Sequence, residues 1–546
     1  MPYEFKLVSS LEKSFFEKPD HLPERSSGSM LKNEIHSFQL IATATPNELP
    51  KRMCRMEIAS DLAPCISVYK VGYVPVMMPV PASTDETDFL FTTPGMAPDP
   101  LHKIRNGHFE LYGGQSRALW ITVEPDGHFS GIHPITLRVF DDENQQICLT
   151  TYTLEIIDAD LPPLPICNTG WFHGDCLATH HNVQILSDAY FDIVEKYLAV
   201  YTKFGHNMIL TPVFTPPLDT AVGAERPTNQ LVAVTVCNGR YSFDFRNLKR
   251  WIDLCKKHGI THYEISHLFT QWGVEHAPKV MATVDGQYKR IFGWETDATA
   301  PEYAAFLDAF LPALKAFLQE EGVFEQCLFH VSDEPDTDHL ERYAAGKALL
   351  TKYIDGSRII DALSAYELYA QGVVEKPVVC NDHIYTFMEH NVPDLWTYYC
   401  CCQVKEVSNR FMAMPSYRNR ILGWQLYKYH IRGFLHWGFN FWFSQFSKGM
   451  IDPYKETSAD MAFPAGDAFS VYPLDEADEV VCSLRLYVFH DGLQDLRALK
   501  LLESLAGREA VDALLQDLDG FTKYPRNSTY CLNLRETVNQ MIKERI

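Results

Sequence analysis

Apolar and polar positions alternate in short runs through the first part of the chain and then change rhythm. Between residues 30 and 160 the runs SFQLIATA, CISVYKVGYV, ALWITVEP, HPITLRVFD and ICLTTYTLEII stand between turn-forming stretches. Leu119, Ile121 and Val123 alternate with Trp120 and Thr122; Ile135, Leu137 and Val139 alternate with Thr136 and Arg138. A period of two predicts half-buried antiparallel strands, and no helical period interrupts them. Residues 1–163 are therefore expected to form an antiparallel β-sandwich. The segment Asp160-Leu161-Pro162-Pro163-Leu164-Pro165, stiffened by three prolines, marks the boundary.

Beyond it, strand-like runs alternate with helical ones. Tyr190, Phe191, Val194, Tyr197, Leu198 and Tyr201 recur at helical spacing before Gly205, as do Leu248, Trp251, Ile252 and Cys255 before Gly259. A third helix carries Tyr303, Phe306, Leu307, Phe310, Leu311 and Leu314; a fourth is expected to be capped by Asp338, with Glu341 completing a capping box. Eight strand candidates follow in order: WFHGD, NMILTPVF, THYEISHLF, CLFHVS, RIIDALSAY, PVVCNDHIY, LWTYYCC and GFLHWGFNFWF. Eight strand-helix units suggest a (β/α)8 TIM barrel over residues 164–510. Residues 480–503 read as its last helix, and 511–546 as a short C-terminal helical tail packed on the barrel. An open doubly wound sheet is the rival reading, but it would carry a glycine-rich nucleotide loop after its first strand, and none is present.

Composition narrows the partners. A chain of 546 residues is too long for one compact core. A net charge of −22 disfavours nucleic acid and anionic membranes. Aromatic residues make up 13% of the chain, as sugar-stacking platforms or large cores require. No apolar run approaches the ~20 residues that span a bilayer, and the N-terminus lacks a secretory pattern. The cysteine triplet Cys400-Cys401-Cys402 suits free thiols in a reducing cytoplasm. The absence of CxxC, His-x-His, HExxH and GxSxG motifs argues against a structural or catalytic metal and against a serine nucleophile. No cofactor is expected.

Five Asp-Glu dipeptides occur, and only Asp333-Glu334 follows an apolar run, Cys327 to Val331. The C-terminal ends of barrel strands are where chemistry is found. Adjacent side chains on a regular strand point to opposite faces, so the two acids can share a pocket only if the strand breaks; Pro335 supplies a reason. Solvated strand-end carboxylates are the plain alternative. Neighbouring acids suit a substrate-assisted glycoside cleavage better than a nucleophile/acid pair, which comes from separate strands. Further candidates near strand ends are Tyr398 as a hydrogen-bond donor, Trp272 and Trp437 as stacking platforms, and His173, His267 and Asn381 as partners for sugar hydroxyls. Trp442 is a second aromatic candidate on the eighth segment, but its spacing of five from Trp437 lets only one of the two floor a sugar site.

The chain resembles glycoside hydrolase family 123 and the surrounding domain-of-unknown-function family 4091. The resemblance rests on Asn33-Glu34, Pro98-Asp99-Pro100-Leu101, Thr169-Gly170-Trp171-Phe172-His173, HYEISHLFTQWG, IFGWETDA, SDEP (332–335), RILGWQLYKYHIRGFLHWGFNFW, PAGDAFSVYP, Ser483-Leu484-Arg485 and Asp491-Gly492-Leu493-Gln494-Asp495. It implies a β-sandwich joined to a (β/α)8 barrel, and a retaining exo-β-N-acetylgalactosaminidase using neighbouring-group participation without metal or cofactor. Carried onto the SDEP motif, Asp333 would position the acetamido group and Glu334 would act as acid and base. The partner implied is a glycan with a terminal N-acetylhexosamine. Another N-acetylhexosaminidase, a β-glycosidase of different specificity and a non-catalytic carbohydrate-binding barrel are the alternatives.

Overall fold

The computed structural model describes residues 3–17, 21–46, 51–81 and 83–546. In the N-terminal region, a seven-stranded sheet and a five-stranded sheet contribute to one apolar cluster. Strand Gly131–Phe140 of the five-stranded sheet keeps the expected alternation: Ile135, Leu137 and Val139 are buried and Ile132 is 69% exposed. Strand Ser116–Val123 of the seven-stranded sheet does not, because both its faces are covered. Leu119, Ile121 and Val123 join the cluster between the sheets, while Ala118 and Trp120 join the large core shared with the rest of the chain. A period of two shows one-sided burial only when the other side meets water.

Two further features depart from a self-contained antiparallel unit. Ser27–Leu31 pairs in parallel with Gln146–Ile157. The seven-stranded sheet is also completed from far along the chain, by Val471–Leu474 and Val480–Ser483; Cys482 pairs with Leu101. Residues 480–483 are thus strand rather than helix. The helix is Leu484–Ala506, and the Ser483 hydroxyl accepts from the Leu486 N–H as its N-cap.

Buried ion pairs reinforce this junction. Arg485 makes a bidentate contact to Asp99 at 2.8 and 3.0 Å. Arg535 bridges Glu34 and Asp495, and Gln494 exchanges hydrogen bonds with the backbone of Ile35. Helix Ser528–Lys543, capped by Asn527, packs against Leu484–Ala506 and against strand Ser27–Leu31. It therefore contacts both halves of the molecule.

The second half holds eight parallel strands in one sheet: Cys167–Gly170, Met208–Thr211, His262–Ile265, Cys327–Phe329, Ile360–Leu363, Lys376–Cys380, Trp396–Tyr398 and Gly433–His436. The first strand pairs with both the second and the eighth, and a parallel bridge from Phe329 to Ile359 joins the fourth strand to the approach of the fifth, closing the ring. Met208 and Leu210 belong to a cluster with Ile360, Ala362, Val378, Trp396 and Leu435, whereas Ile209 packs into the large core. Strands buried on both faces read as continuous apolar runs.

Helices lie between successive strands, among them Asp188–Lys203, Arg246–Lys257, Pro301–Glu320 and Leu340–Thr351. The first strand ends at Gly170, before the WFHGD segment expected to form it. The cap of the fourth helical segment is Asp336, whose side chain accepts from the Asp338 N–H, and not Asp338 itself. The loops after the second and third strands together build a four-stranded sheet: Arg240–Asp244, Ala233–Cys237, Val280–Val284 and Gln287–Phe292.

Candidate active site

The fourth ring strand stops at Phe329, and residues 330–336 leave it as an irregular segment. Glu334 has φ +46°. Proline at 335 already restricts the backbone of the preceding residue, and a left-handed conformation costs a non-glycine residue roughly 1–2 kcal/mol. Strain of this kind persists only where the surroundings over-determine it. Here the Asp333 carbonyl accepts from the Trp272 N–H at 3.0 Å, and the Ser332 hydroxyl donates to the Thr270 carbonyl at 2.8 Å. Trp272 is itself left-handed, with φ +56°. The two kinked loops brace one another. The kink removes the obstacle of adjacency, since Asp333 and Glu334 line the same pocket.

That pocket has a volume of about 250 Å3 and opens at the C-terminal ends of the strands. Its walls are largely aromatic: Trp171, Trp272, Trp437, Phe441, Phe446 and Phe463. Tyr398 reaches the carboxylate pair from the opposite wall. Tyr398, the last residue of the seventh strand, donates from its hydroxyl to Glu334 Oε1 at 2.7 Å. Glu334 is exposed and Asp333 half-buried, with protein atoms packed around both carboxyls. Burial holds its carboxyl above the usual range, against the pull of the Tyr398 hydrogen bond. Asp333 is raised further, first by burial and then by the charge of Glu334, with His330 opposing. Both carboxyls are therefore shifted towards their protonated forms, and the charge of Glu334 disfavours ionising Asp333 beside it.

Under the pair lies a buried charge network. His330 Nε2 donates to Glu264 Oε1 at 2.7 Å and Nδ1 donates to Asp361 Oδ1 at 2.9 Å. Burial disfavours the imidazolium, but its bonds to Asp361 and Glu264 outweigh burial and raise the pKa to about 10. Glu264 also accepts from Trp171 Nε1 at 2.6 Å and Thr169 Oγ1 at 2.7 Å, and Asp361 accepts from the Tyr343 hydroxyl. Both nitrogens of His330 are committed as donors. The neighbouring set His267, His330 and Asp361, although close enough in space to hold an ion, therefore lacks a free imidazole lone pair on His330.

Of the residues expected from sequence, Asp333, Glu334, Tyr398, Trp437, Trp272 and His173 line the pocket. His173 is fixed as a neutral ring: Nε2 donates to the Trp437 carbonyl at 3.0 Å and Nδ1 accepts from Arg226 at 3.1 Å. Burial, then the Arg226 charge, lower its pKa to about 4. Trp437 is held by a 2.9 Å bond from Nε1 to Asp467, a carboxyl that burial raises to about 7. Gly438 next to it lets the chain pass close to Ala468; a Cβ there would sit 2.3 Å from the Ala468 carbonyl oxygen.

Three expectations are corrected. Trp442 is fully buried against His180 and Tyr197, because the eighth strand ends at His436 and the chain turns outward before reaching it. His267 is buried beneath Trp171 and stacked on His330 at 4.1 Å, off the pocket lining. Asn381 is an anchor: Nδ2 donates to the Ser408 carbonyl and hydroxyl at 2.9 and 3.2 Å, and its N–H donates to the Tyr398 carbonyl.

Sequence reading missed Trp171, Asp219, Gln271, Cys400, Cys401, Phe441, Gln445 and Phe446 in the lining. Asp219 is a third pocket carboxyl, raised to about 6 by burial against the Phe446 N–H that it accepts at 3.0 Å. It sits in the long loop after the second strand, and no strand or motif points to it. Trp171 was discoverable, since it directly follows the first strand and stands two residues before His173.

A family model for the "Glycoside hydrolase 123, catalytic domain" matches residues 171–502. No curated protein matches the chain. Among solved structures, a family 123 glycoside hydrolase from Clostridium perfringens, described in terms of glycolipid glycan hydrolysis, is similar at 14% identity. The alignment covers 99% of this chain and 97% of that one with a TM-score of 0.75, a likeness of fold. A putative β-galactosidase from Bacteroides fragilis aligns at 10% identity over 90% of this chain and 62% of its own, with a TM-score of 0.33 that carries no argument.

Proposed function

The chain belongs to glycoside hydrolase family 123 and is a glycosidase acting on glycans; from that premise we propose that it is a retaining exo-β-N-acetylgalactosaminidase working by substrate assistance. The observation that carries this reading is the kink at Glu334, which brings two sequence neighbours into one aromatic pocket. In the first step the substrate's acetamido oxygen attacks C1 and the glycosidic bond breaks. Its electron pair leaves with the aglycone oxygen, which takes a proton from Glu334. Asp333 accepts the acetamido N–H and balances the positive charge of the oxazolinium. In the second step Glu334 takes a proton from water, whose oxygen attacks C1 and reopens the ring with net retention.

The raised carboxyl of Glu334 suits a group that must be protonated at the start. Burial and the charge of Glu334 raise the carboxyl of Asp333, and the charged His330 beneath pulls the other way, towards the carboxylate that this role requires. Tyr398, whose single O–H points at Glu334 in the free protein, turns to the acetamido oxygen when substrate binds and is the donor assigned to it. Trp437 and Trp272 provide the apolar faces on which a pyranose ring stacks, and Asp219 an acceptor for a sugar hydroxyl. The architecture is read as a (β/α)8 barrel domain over 164–510, a β-sandwich over 1–163 whose larger sheet takes two strands from 471–483, and a helical tail over 511–546. All 14 cysteines are free, which fits a cytoplasmic enzyme, and no described helix is long and apolar enough to cross a membrane.

The test is hydrolysis of nitrophenyl β-GalNAc, β-GlcNAc and β-Gal glycosides side by side. Turnover of the first above the other two supports the proposal. Preference for β-GlcNAc would transfer the same mechanism to another sugar, and equal turnover of β-Gal would remove the acetamido group from it.

A further inference from the structure

The seventh ring strand ends at Tyr398, and the chain turns at once through Cys400, Cys401 and Cys402. The three sulfurs lie within 4.8 Å of one another, and those of Cys401 and Cys402 are 3.7 Å apart. A tetrahedral thiolate site with metal–sulfur bonds of about 2.3 Å places its sulfurs about 3.8 Å from each other, so the observed spacing needs little adjustment to close on an ion. A disulfide between neighbouring cysteines fits less well. Bridged cysteines usually hold their Cα atoms about 4.4–6.8 Å apart, whereas neighbours in the chain are fixed at about 3.8 Å.

The loop is held in this shape from outside the thiols. Gln403 Oε1 accepts from the Cys400 N–H at 2.9 Å and from its thiol at 3.2 Å. Asn409 Nδ2 donates to the carbonyls of Cys400 and Gln403 at 2.9 and 2.8 Å. Exposure is graded: Cys400 and Cys401 are half-buried and Cys402 is open to solvent, which gives an ion a way in. Cys400 and Cys401 also line the same pocket as Glu334.

We propose that Cys400, Cys401 and Cys402 form a binding site for one thiophilic d10 cation at the rim of the pocket, and that its occupation shuts the pocket. Soft thiolates select such ions over the hard cations that carboxylates hold. A divalent ion displaces three thiol protons and leaves a complex of net charge −1, with no change of oxidation state. That charge and bulk sit on the wall the sugar must use. The inhibitory consequence rests on the proposed hydrolase activity; the binding itself does not.

Cadmium is the probe, added to the reduced, intact protein in weak buffer. The expected result is one saturable equivalent with a thiolate-to-cadmium charge-transfer absorption and release of protons. Cys402→Ser, at the solvent-facing sulfur, should weaken binding roughly ten-fold or more. The triple Cys400→Ser, Cys401→Ser, Cys402→Ser variant should lose the band while keeping the circular dichroism of the parent. Hydrolysis of the nitrophenyl glycoside should fall in step with the band and return on addition of EDTA. No band in the parent protein, or an undiminished band in the triple variant, overturns the site. A band without loss of hydrolysis overturns the shutting of the pocket. A metal-free protein that hydrolyses none of the glycosides counts against the hydrolase specificity, and the site is then judged on the absorption alone.

Discussion

The Tyr398 hydroxyl donates to Glu334 at 2.7 Å, across the pocket from a residue that stands 64 positions earlier in the chain. That bond is the main force keeping the Glu334 carboxyl from rising further under burial. It links the ends of the fourth and seventh strands of the ring, and it fixes the direction in which the acid points. Tyr398→Phe removes the donor. The pKa of Glu334 should then rise, so the basic limb of kcat/KM, where the acid is lost, should move to higher pH. The plateau should drop as well, because the acetamido oxygen loses its donor. A pH–rate profile of the variant checks both directions; an unmoved limb would detach Tyr398 from the acid.

Glu334→Gln removes the proton donor and keeps the shape. Proton transfer by a positioned side chain contributes about 10²–10⁴-fold, and losses of that order are expected on substrates with poor leaving groups. Nitrophenyl substrates should suffer less in the bond-breaking step, since nitrophenolate departs without help. Steady-state kinetics on the two leaving groups separates the roles. Equal losses on both would mean that Glu334 acts otherwise than by protonating the leaving oxygen.

Stability should depend on pH through the network under the pair. The pKa of His330 is raised by its carboxylate partners from the ordinary 6.5 to about 10. A group raised in the folded state contributes fully below its unfolded pKa and loses that contribution as pH climbs to the folded value. Asp333 and Glu334, also raised, act with the same sign at lower pH. The melting temperature should therefore be higher at pH 6 than at pH 9, and His330→Gln should flatten the upper part of that slope. Thermal melts across the range measure it.

The junction between the halves rests on Asp99 and Arg485, which are 0% and 2% exposed. Arg485→Met leaves a buried carboxylate without its cation, a change that costs about 3–5 kcal/mol. Asp99→Asn added to Arg485→Met removes that charge and should recover part of the loss. Chemical denaturation of the three proteins gives the numbers. If the single variant is as stable as the parent, the pair does not hold the halves together.

Seven of the eight ring strands were legible because a strand buried on both faces needs an apolar run, and helices must separate parallel neighbours; the first, Cys167–Gly170, carries no such run and was placed too late, at WFHGD. The carboxylate pair was legible for the same reason: Asp333 and Glu334 end such a run. What the sequence concealed depends on distant contacts. Nothing near Val471 or Val480 shows that these strands complete an N-terminal sheet. Asp219 and Phe446 enter the pocket on long loops whose paths depend on each other. Trp442 misled because spacing along a strand was applied past its end.

The motif residues also divide in a way spacing alone does not reveal. Asp333 and Glu334 of SDEP and Trp171 and His173 of TGWFH line the pocket, whereas Glu34, Asp99, Arg485 and Asp495 hold the junction.

The central claim is that the substrate's own acetamido oxygen attacks the anomeric carbon while Asp333 holds the group and Glu334 moves the proton. The direct measurement is kcat/KM for nitrophenyl β-GalNAc against analogues whose N-acetyl methyl carries one, two and three fluorines. Each fluorine weakens the oxygen as a nucleophile without altering the leaving group. The account predicts a steep, monotonic fall across the series in the parent protein. Rates independent of fluorination would contradict it and place the nucleophile on the protein or on water.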